Sequence, residues 1–286
     1  MTRVCVIGAG TMGHGIAQMA ALAGYDTALT DARAEALPQA KERIDANLEG
    51  GIARGKLSRE AADAARQHLA FSEHLRDAAA GADLVIEAIV EDLDAKRSLI
   101  GEVDTLVSPQ CVLATNTSSL SVARIAAASS APERVIGMHF FNPVHIMRLV
   151  ELVVHDGTSA PTVAIARTVA ERLGKVPIVA KDRPGFASSR LGVVLGLEAM
   201  RMVEEGVASP EDIDTAMELG YGHPMGPLKV SDLVGLDVRL AIADYLHREL
   251  KGPWYAPPDI LRRKVAAGEL GKKSGRGFYE WPTKSS

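Results

Sequence analysis

The chain has 286 residues, of which 47% are hydrophobic, with a formal net charge of −4 and two cysteines. That is enough apolar material for one large domain or two modest ones, and the acidic balance gives no general attraction to nucleic acid or to an anionic membrane surface. Cys5 and Cys111 each lie inside an apolar run, which fits two reduced thiols in buried strands of a cytoplasmic protein better than a disulfide or a metal site, and no stretch is long and apolar enough to span a bilayer.

From residue 3 to about 182, short β-rich runs alternate with Ala-rich helical stretches: RVCVIGA, DTALTD, DLVIEAI, CVLATNT, RVIGMHFF, LVELVV and VPIVAKD. Such alternation predicts an α/β unit with a mostly parallel sheet. Residues 33 to 68 interrupt it with a long helical stretch. Pro38 should set or kink its start, Gly50 and Gly51 weaken its middle, and Ser58 cap a second helix, so a helical hairpin projecting from the sheet is expected. After Lys181 the strand pattern stops at DRPG. Helices follow at roughly 185–206, after Ser209 with Pro210 at the first position, at about 227–250, and near 258–268. The expected division is therefore 1–182 and 183–286. About a hundred helical residues make a thin bundle that buries its apolar excess more easily against a second copy, which predicts a homodimer through the C-terminal part.

GAGTMG directly follows the first strand and opens a helix, with Gly8, Gly10 and Gly13 at GxGxxG spacing and Thr11 and Met12 inside the loop. In this context one glycine serves the tight turn, one the close approach of a pyrophosphate and one helix-to-strand packing, as in a Rossmann-type domain. The next strand ends in Asp31, where an acid should take the adenosine ribose hydroxyls and repel a 2′-phosphate. NAD is expected over NADP, although Arg33, two residues on, could receive that phosphate.

His139 and Glu151 frame the remaining chemistry. A histidine in an apolar strand is often a packing residue, and an acid on a strand is often merely solvated. Between these two, however, Asn142 and Pro143 force a turn that can fold the carboxylate back toward the imidazole. A proton acceptor, its orienting anion and a dinucleotide cradle in one chain suit alcohol oxidation or its reverse, without a metal.

The ordered motifs GAGTMGHGIA, EAIVED, ATNTSSL, HFFNPV with the following LVE, KDRPGF, EDIDTAM, GHPMGP and GKKSGRGFY resemble the L-3-hydroxyacyl-CoA dehydrogenase family nearly end to end. The resemblance implies an NAD-binding N-terminal domain, a helical C-terminal dimerisation domain and an acyl-CoA bound in the cleft between them. It implies His139 as catalytic base with Glu151 as partner, and Ser118 as a substrate contact. Glu91, Lys96, Asn116 and Asn142 would stand on the nicotinamide side, and Lys272 or Lys273 would close over the cofactor. Where the family has an asparagine after PGF, this chain reads GFASSR and places Ser189, a shorter donor, at that catalytic position. Where short-chain members carry lysines near 50 and 54, it has Gly50 and Arg54; Arg54 and Lys56 are the candidate partners of the CoA phosphates, or else exposed charges on a solvated helix end. Gly192, Val193, Leu197 and Met200 either line the acyl pocket or pack a core. A dehydrogenase of a free hydroxy acid, such as a sugar acid or carnitine, and a non-catalytic NAD(H)-binding protein are the competing readings.

Overall fold

The computed structural model describes residues 2–282, and the chain forms two compact units that part after Arg183. In chain order the first unit comprises β1 (Arg3–Ile7), α1 (Gly13–Leu22), β2 (Asp26–Thr30), α2 (Ala36–Ala53), α3 (Arg59–Gln67), β3 (Leu69–Ser72), α4 (Leu75–Ala79) and β4 (Leu84–Glu87). It continues through α5 (Leu93–Asp104), β5 (Val112–Thr115), α6 (Val122–Ala126), β6 (Val135–Phe140), β7 (Leu149–Val154), α7 (Ala160–Arg172) and β8 (Val176–Lys181).

The eight strands form one sheet in the order β3-β2-β1-β4-β5-β6-β7-β8. Every pairing is parallel except β6 with β7. Strands β4, β5 and β6 are buried along their whole length, as a sheet covered on both faces requires, which is why they read as continuous apolar runs rather than alternating ones. Side-chain caps start the helices where turn residues stand: Ser58, Asp92, Ser121 and Ser159 each accept from a backbone N–H three residues on.

The helical stretch expected over 33–68 is the pair α2 and α3, with Pro38 in the first turn of α2 and Ser58 at the cap of α3. Gly50 and Gly51, at the middle of the 33–68 stretch, fall in the last turn of α2 and loosen the approach to the bend. Ala40, Ile44 and Leu48 join the core of the sheet unit, and Asn47 Nδ2 donates to Gln18 Oε1 of α1 at 3.0 Å. Arg66 ties the two helices through Asp45 at 3.0 Å and Glu49 at 2.8 Å. Strand β3 was not expected. It is a half-exposed edge of four residues, LAFS, too short for periodicity to separate from the end of the preceding helix, and only its pairing with β2 makes it a strand.

The second unit contains α8 (Ser188–Glu204), α9 (Pro210–Tyr221), α10 (Pro227–Val234), α11 (Leu236–Leu250) and α12 (Asp259–Ala266). Ser209 caps α9 as expected, accepting from Asp212 N at 3.1 Å. The single helix expected over about 227–250 is two helices, because Gly235 adopts φ +102°, outside the range of a continuing helix. Asp232, fully buried, accepts from the backbone N–H groups of Phe278 at 2.9 Å and Tyr279 at 3.0 Å and from Trp281 Nε1 at 2.8 Å, which pins the C-terminal GRGFYEW segment to α10. Among the described residues no helix is long and apolar enough to cross a membrane.

Candidate active site

The glycine turn is built by close approach. Gly8 takes φ +106°, and a Cβ there would stand 2.5 Å from the carbonyl oxygen of Ala88, where β4 passes beside it. A Cβ at Gly13 would collide with the carbonyl oxygen of Gly8, so α1 can start beneath the turn only with glycine at that point. Above Gly10 nothing lies within 4 Å of an added Cβ. The N–H groups of Gly10, Thr11 and Met12 donate to no other described residue. Open space, unused backbone donors and the positive end of α1 together suit the phosphates of a dinucleotide.

Asp31, at the end of β2, accepts from Ala9 N at 2.7 Å and from Arg33 N at 2.9 Å, so its carboxylate is fastened to the glycine turn itself. Arg33 is largely exposed and its Nε lies 3.6 Å from the same carboxylate. His14 packs on the turn, with Nδ1 2.7 Å from the Gly10 carbonyl oxygen.

His139 on β6 and Glu151 on β7 are register partners in the one antiparallel pairing, so both side chains leave the sheet on the same face. Nδ1 of His139 lies 2.7 Å from Oε2 of Glu151. Glu151 is fully buried and His139 nearly so. A carboxylate accepts but cannot donate, so Nδ1 carries the proton and Nε2 is the basic nitrogen of the neutral ring. Phe141 packs against the imidazole with centroids 4.5 Å apart. The loop joining the two strands is clamped from both sides. Lys175, buried at the start of β8, donates to the carbonyl oxygens of Val144 and, at 2.9 Å, Met147. Val144 in turn sits over Gly15 of α1, where a Cβ would come within 2.9 Å of its own.

Glu91 gathers the loop after β5. Its Oε1 accepts from Thr117 Oγ1 at 2.7 Å, Ser118 N at 2.8 Å, Ser118 Oγ at 3.1 Å and Ser119 N at 3.1 Å. Burial works to raise its pKa, but the nearby Lys96 ammonium and the Thr117 and Ser118 donors outweigh it and hold the carboxyl below its ordinary value. Lys96 is not at the surface of this group. Its side chain is buried, with Nζ 2.6 Å from Glu87 Oε1 and 3.5 Å from Glu91 Oε2, so it neutralises carboxylates from below. Asn116 Oδ1 accepts from Phe140 N at 2.8 Å and so links the end of β5 to β6. Asn142 occupies the β6–β7 loop and is exposed.

Arg54 and Lys56 lie at the exposed bend of the hairpin. The guanidinium of Arg54 folds back over Gly50, where an added Cβ would meet it at 3.2 Å. His145, in the β6–β7 loop, is held below its ordinary value by burial and then by its charged neighbours, Arg54 foremost. In the second unit Ser189 stands in the first turn of α8. Val193, Leu197 and Met200 are fully buried in that unit's core, so they pack it and do not line a pocket. Lys273 pairs with Asp237 at 2.6 Å, and Lys272 lies 5.4 Å from the ring centre of Trp281. Sequence reasoning missed Lys175, Gly15 and Glu87. Glu87 lies inside EAIVED, but no spacing rule separates it from Glu91.

Residues 3–183 match the family model described as 3-hydroxyacyl-CoA dehydrogenase, NAD binding domain, and residues 185–281 match the model of that family's C-terminal domain. The chain is 45% identical over 284 residues to a 3-hydroxybutyryl-CoA dehydrogenase of Mycobacterium tuberculosis, covering 98% of each. It is 40% identical to the human mitochondrial hydroxyacyl-coenzyme A dehydrogenase, over 97% of this chain and 90% of that one. The crystal structure of a (S)-3-hydroxybutyryl-CoA dehydrogenase from Ralstonia eutropha superposes with a TM-score of 0.95 at 39% identity, over 99% of this chain and 100% of that one. With both family models matched in order over nearly the whole chain, the chain belongs to the 3-hydroxyacyl-CoA dehydrogenase family of NAD-dependent oxidoreductases.

Proposed function

We propose that this enzyme interconverts a short-chain (3S)-3-hydroxyacyl-CoA, such as 3-hydroxybutyryl-CoA, and the 3-ketoacyl-CoA, with His139 as the base. The observation that carries this reading is the 2.7 Å contact between His139 Nδ1 and Glu151 Oε2, in a setting where both groups are buried. Nε2 of His139 takes the proton of the 3-hydroxyl group in the oxidative direction and returns it in the reductive one. Glu151 holds the reactive tautomer and stabilises the imidazolium; two unit charges about 4 Å apart are worth roughly 4 kcal/mol at an effective dielectric near 20. The dinucleotide, when bound, supplies the two-electron acceptor for the C3 hydrogen. The turn from Gly8 to Gly13 holds its phosphates and Asp31 its ribose. A carboxylate at that place, already paired with Arg33, favours NAD over NADP.

Ser118, oriented by Glu91, and Ser189 contact the substrate oxygens in this reading. Glu91, Asn116 and Asn142 border the nicotinamide, with Lys96 supporting Glu91 from beneath. Arg54 and Lys56 pair with the CoA phosphates. The second unit exposes Leu191, Leu219, Tyr221 and Trp254, each more than half accessible, and a homodimer through this unit buries them. Two buried free thiols suit a cytoplasmic enzyme.

NADH oxidation with 3-ketoacyl-CoAs of four to sixteen carbons, with free acetoacetate beside acetoacetyl-CoA, tests cofactor, thioester and chain length together. H139Q is expected to lower turnover by about 10² to 10⁴ while NADH still binds. Wild-type turnover in that variant, or equal rates with free acetoacetate, removes the proposal.

A further inference from the structure

Arg239, on α11, is 6% exposed, and among the described residues its guanidinium makes no hydrogen bond or ion pair. An enclosed cation with no counter-charge is costly, and buried charges are as a rule paired. The carboxylates of the surrounding helices are engaged elsewhere. Asp232 holds the C-terminal segment, Asp214 accepts from Leu228 N at 2.8 Å and Lys229 N at 2.9 Å, and Asp237 pairs with Lys273. Burial lowers the guanidinium pKa to about 10, which leaves it charged at neutral pH.

The direction of the side chain is legible from the glycines it crosses. An added Cβ at Gly196 would lie 3.6 Å from Arg239 Nε, and one at Gly192 would lie 3.8 Å from Nη1. Arg239 therefore runs along α8 from Gly196 toward Gly192, with its donors facing the helix N-terminus. Ser189, Gly192 and Gly196 follow at i, i+3 and i+7 and share one face of α8. The two glycines form the groove in which the guanidinium lies, and Ser189 stands one turn beyond its tip. The first turn of this 17-residue helix holds no acidic residue, so the helix dipole adds positive potential at the same place.

We propose that Arg239, Ser189 and the first turn of α8 form a carboxylate subsite, and that the enzyme prefers a short 3-hydroxyacyl group ending in a carboxylate to one ending in a methyl group. The proposal rests on the acyl-CoA reading above and on Ser189 standing at the substrate. A neutral carbonyl oxygen would leave the Arg239 charge uncompensated, whereas a terminal carboxylate balances it and takes two parallel N–H donors.

The test compares 3-oxoadipyl-CoA with acetoacetyl-CoA in NADH oxidation by the wild type and by R239M, with R239K as the variant that keeps the charge. The ratio of the two kcat/KM values is expected to favour 3-oxoadipyl-CoA in the wild type. It should fall by about tenfold to a hundredfold in R239M, mainly through KM, and be partly restored in R239K. Thermal unfolding of the intact enzyme with free adipate gives a readout independent of turnover. Adipate should raise the Tm of the wild type but not of R239M, and ligand-free R239M should melt at or above the wild type because a buried unpaired charge is gone. An unchanged selectivity ratio, equal adipate stabilisation of both proteins, or a less stable R239M overturns the subsite. If the wild type turns over neither thioester, the acyl-CoA reading has failed and the adipate shift alone decides whether Arg239 binds a carboxylate.

Discussion

His139 and Glu151 face each other across the one antiparallel pair of an otherwise parallel sheet, with 2.7 Å between Nδ1 and Oε2. A parallel continuation at this point would require a long crossover before the next strand. The short return through Asn142 and Pro143 instead delivers the carboxylate to the imidazole within 12 residues. The contact is thus a product of strand direction as much as of residue type.

E151Q should keep the shape of this pair but not its chemistry. The amide can donate to Nδ1, which moves the ring proton to Nε2 and removes the basic nitrogen from the substrate side. Turnover is expected to fall by about 10² to 10⁴ with NADH affinity within a factor of about two, read by steady-state rates and NADH fluorescence titration. Loss of NADH binding in step with turnover would show that Glu151 shapes the cofactor site instead.

The glycine turn gives a steric prediction. G13A places a methyl group against the Gly8 carbonyl oxygen, where backbone rather than a movable side chain stands in the way. The turn must open, and NADH affinity is expected to drop at least about a hundredfold, or about 2.7 kcal/mol. Calorimetric titration checks this. G10A, with nothing within 4 Å of its Cβ, should fold normally yet weaken NADH binding, because its methyl group enters space a phosphate would take.

D31A removes the acceptor of the Ala9 N–H as well as the group assigned to the ribose. Loss of a charge-assisted hydrogen bond costs about 1.5 to 3 kcal/mol, so NADH should bind about tenfold to a hundredfold more weakly. NADPH should lose much less, since the repulsion of its 2′-phosphate disappears at the same time. Equal losses for the two cofactors, measured by titration, would separate Asp31 from cofactor choice.

Acid stability should depend on Asp104. Burial works to raise its pKa, but hydrogen bonds from Ser129, Ser130 and Arg134 overcome it and hold the carboxyl well below the usual carboxylate range. A group depressed in the folded state binds more protons when unfolded, so its stabilisation is complete above the unfolded pKa of about 3.9 and is lost as pH falls toward the folded value. Urea unfolding should show stability declining below about pH 4. D104N leaves the buried Arg134 guanidinium, 2.7 Å from this carboxylate, without its counter-charge. It should cost about 3 kcal/mol at pH 7 and flatten the acid decline, and a variant as stable as the wild type at pH 7 would refute the assignment.

Much of this protein follows from local sequence. The glycine spacing after a buried strand, the acid closing the next strand, and the serine and proline signals at Ser58, Ser209 and Pro210 each act within one turn or one hairpin, where steric and hydrogen-bonding rules leave few alternatives. The alternation of apolar runs with Ala-rich stretches determined the sheet-and-helix class for the same reason: burial on both faces of a strand is written in its composition. Other features depend on residues far apart in the chain. LAFS becomes a strand only beside β2, and Gly235 breaks a helix that composition alone would continue. Lys175 reaches the loop between His139 and Glu151 from 28 residues beyond Met147, and the space at Gly15 is explained by Val144. Lys96, read from its motif as a site-lining cation, is enclosed by Glu87 because the end of β4 and the start of α5 fold onto each other. Arg239 looks in sequence like one more solvated charge on a helix. Only the packing of α11 on α8 encloses it without a partner, since burial and charge balance are set by what surrounds a side chain and not by its neighbours in the chain.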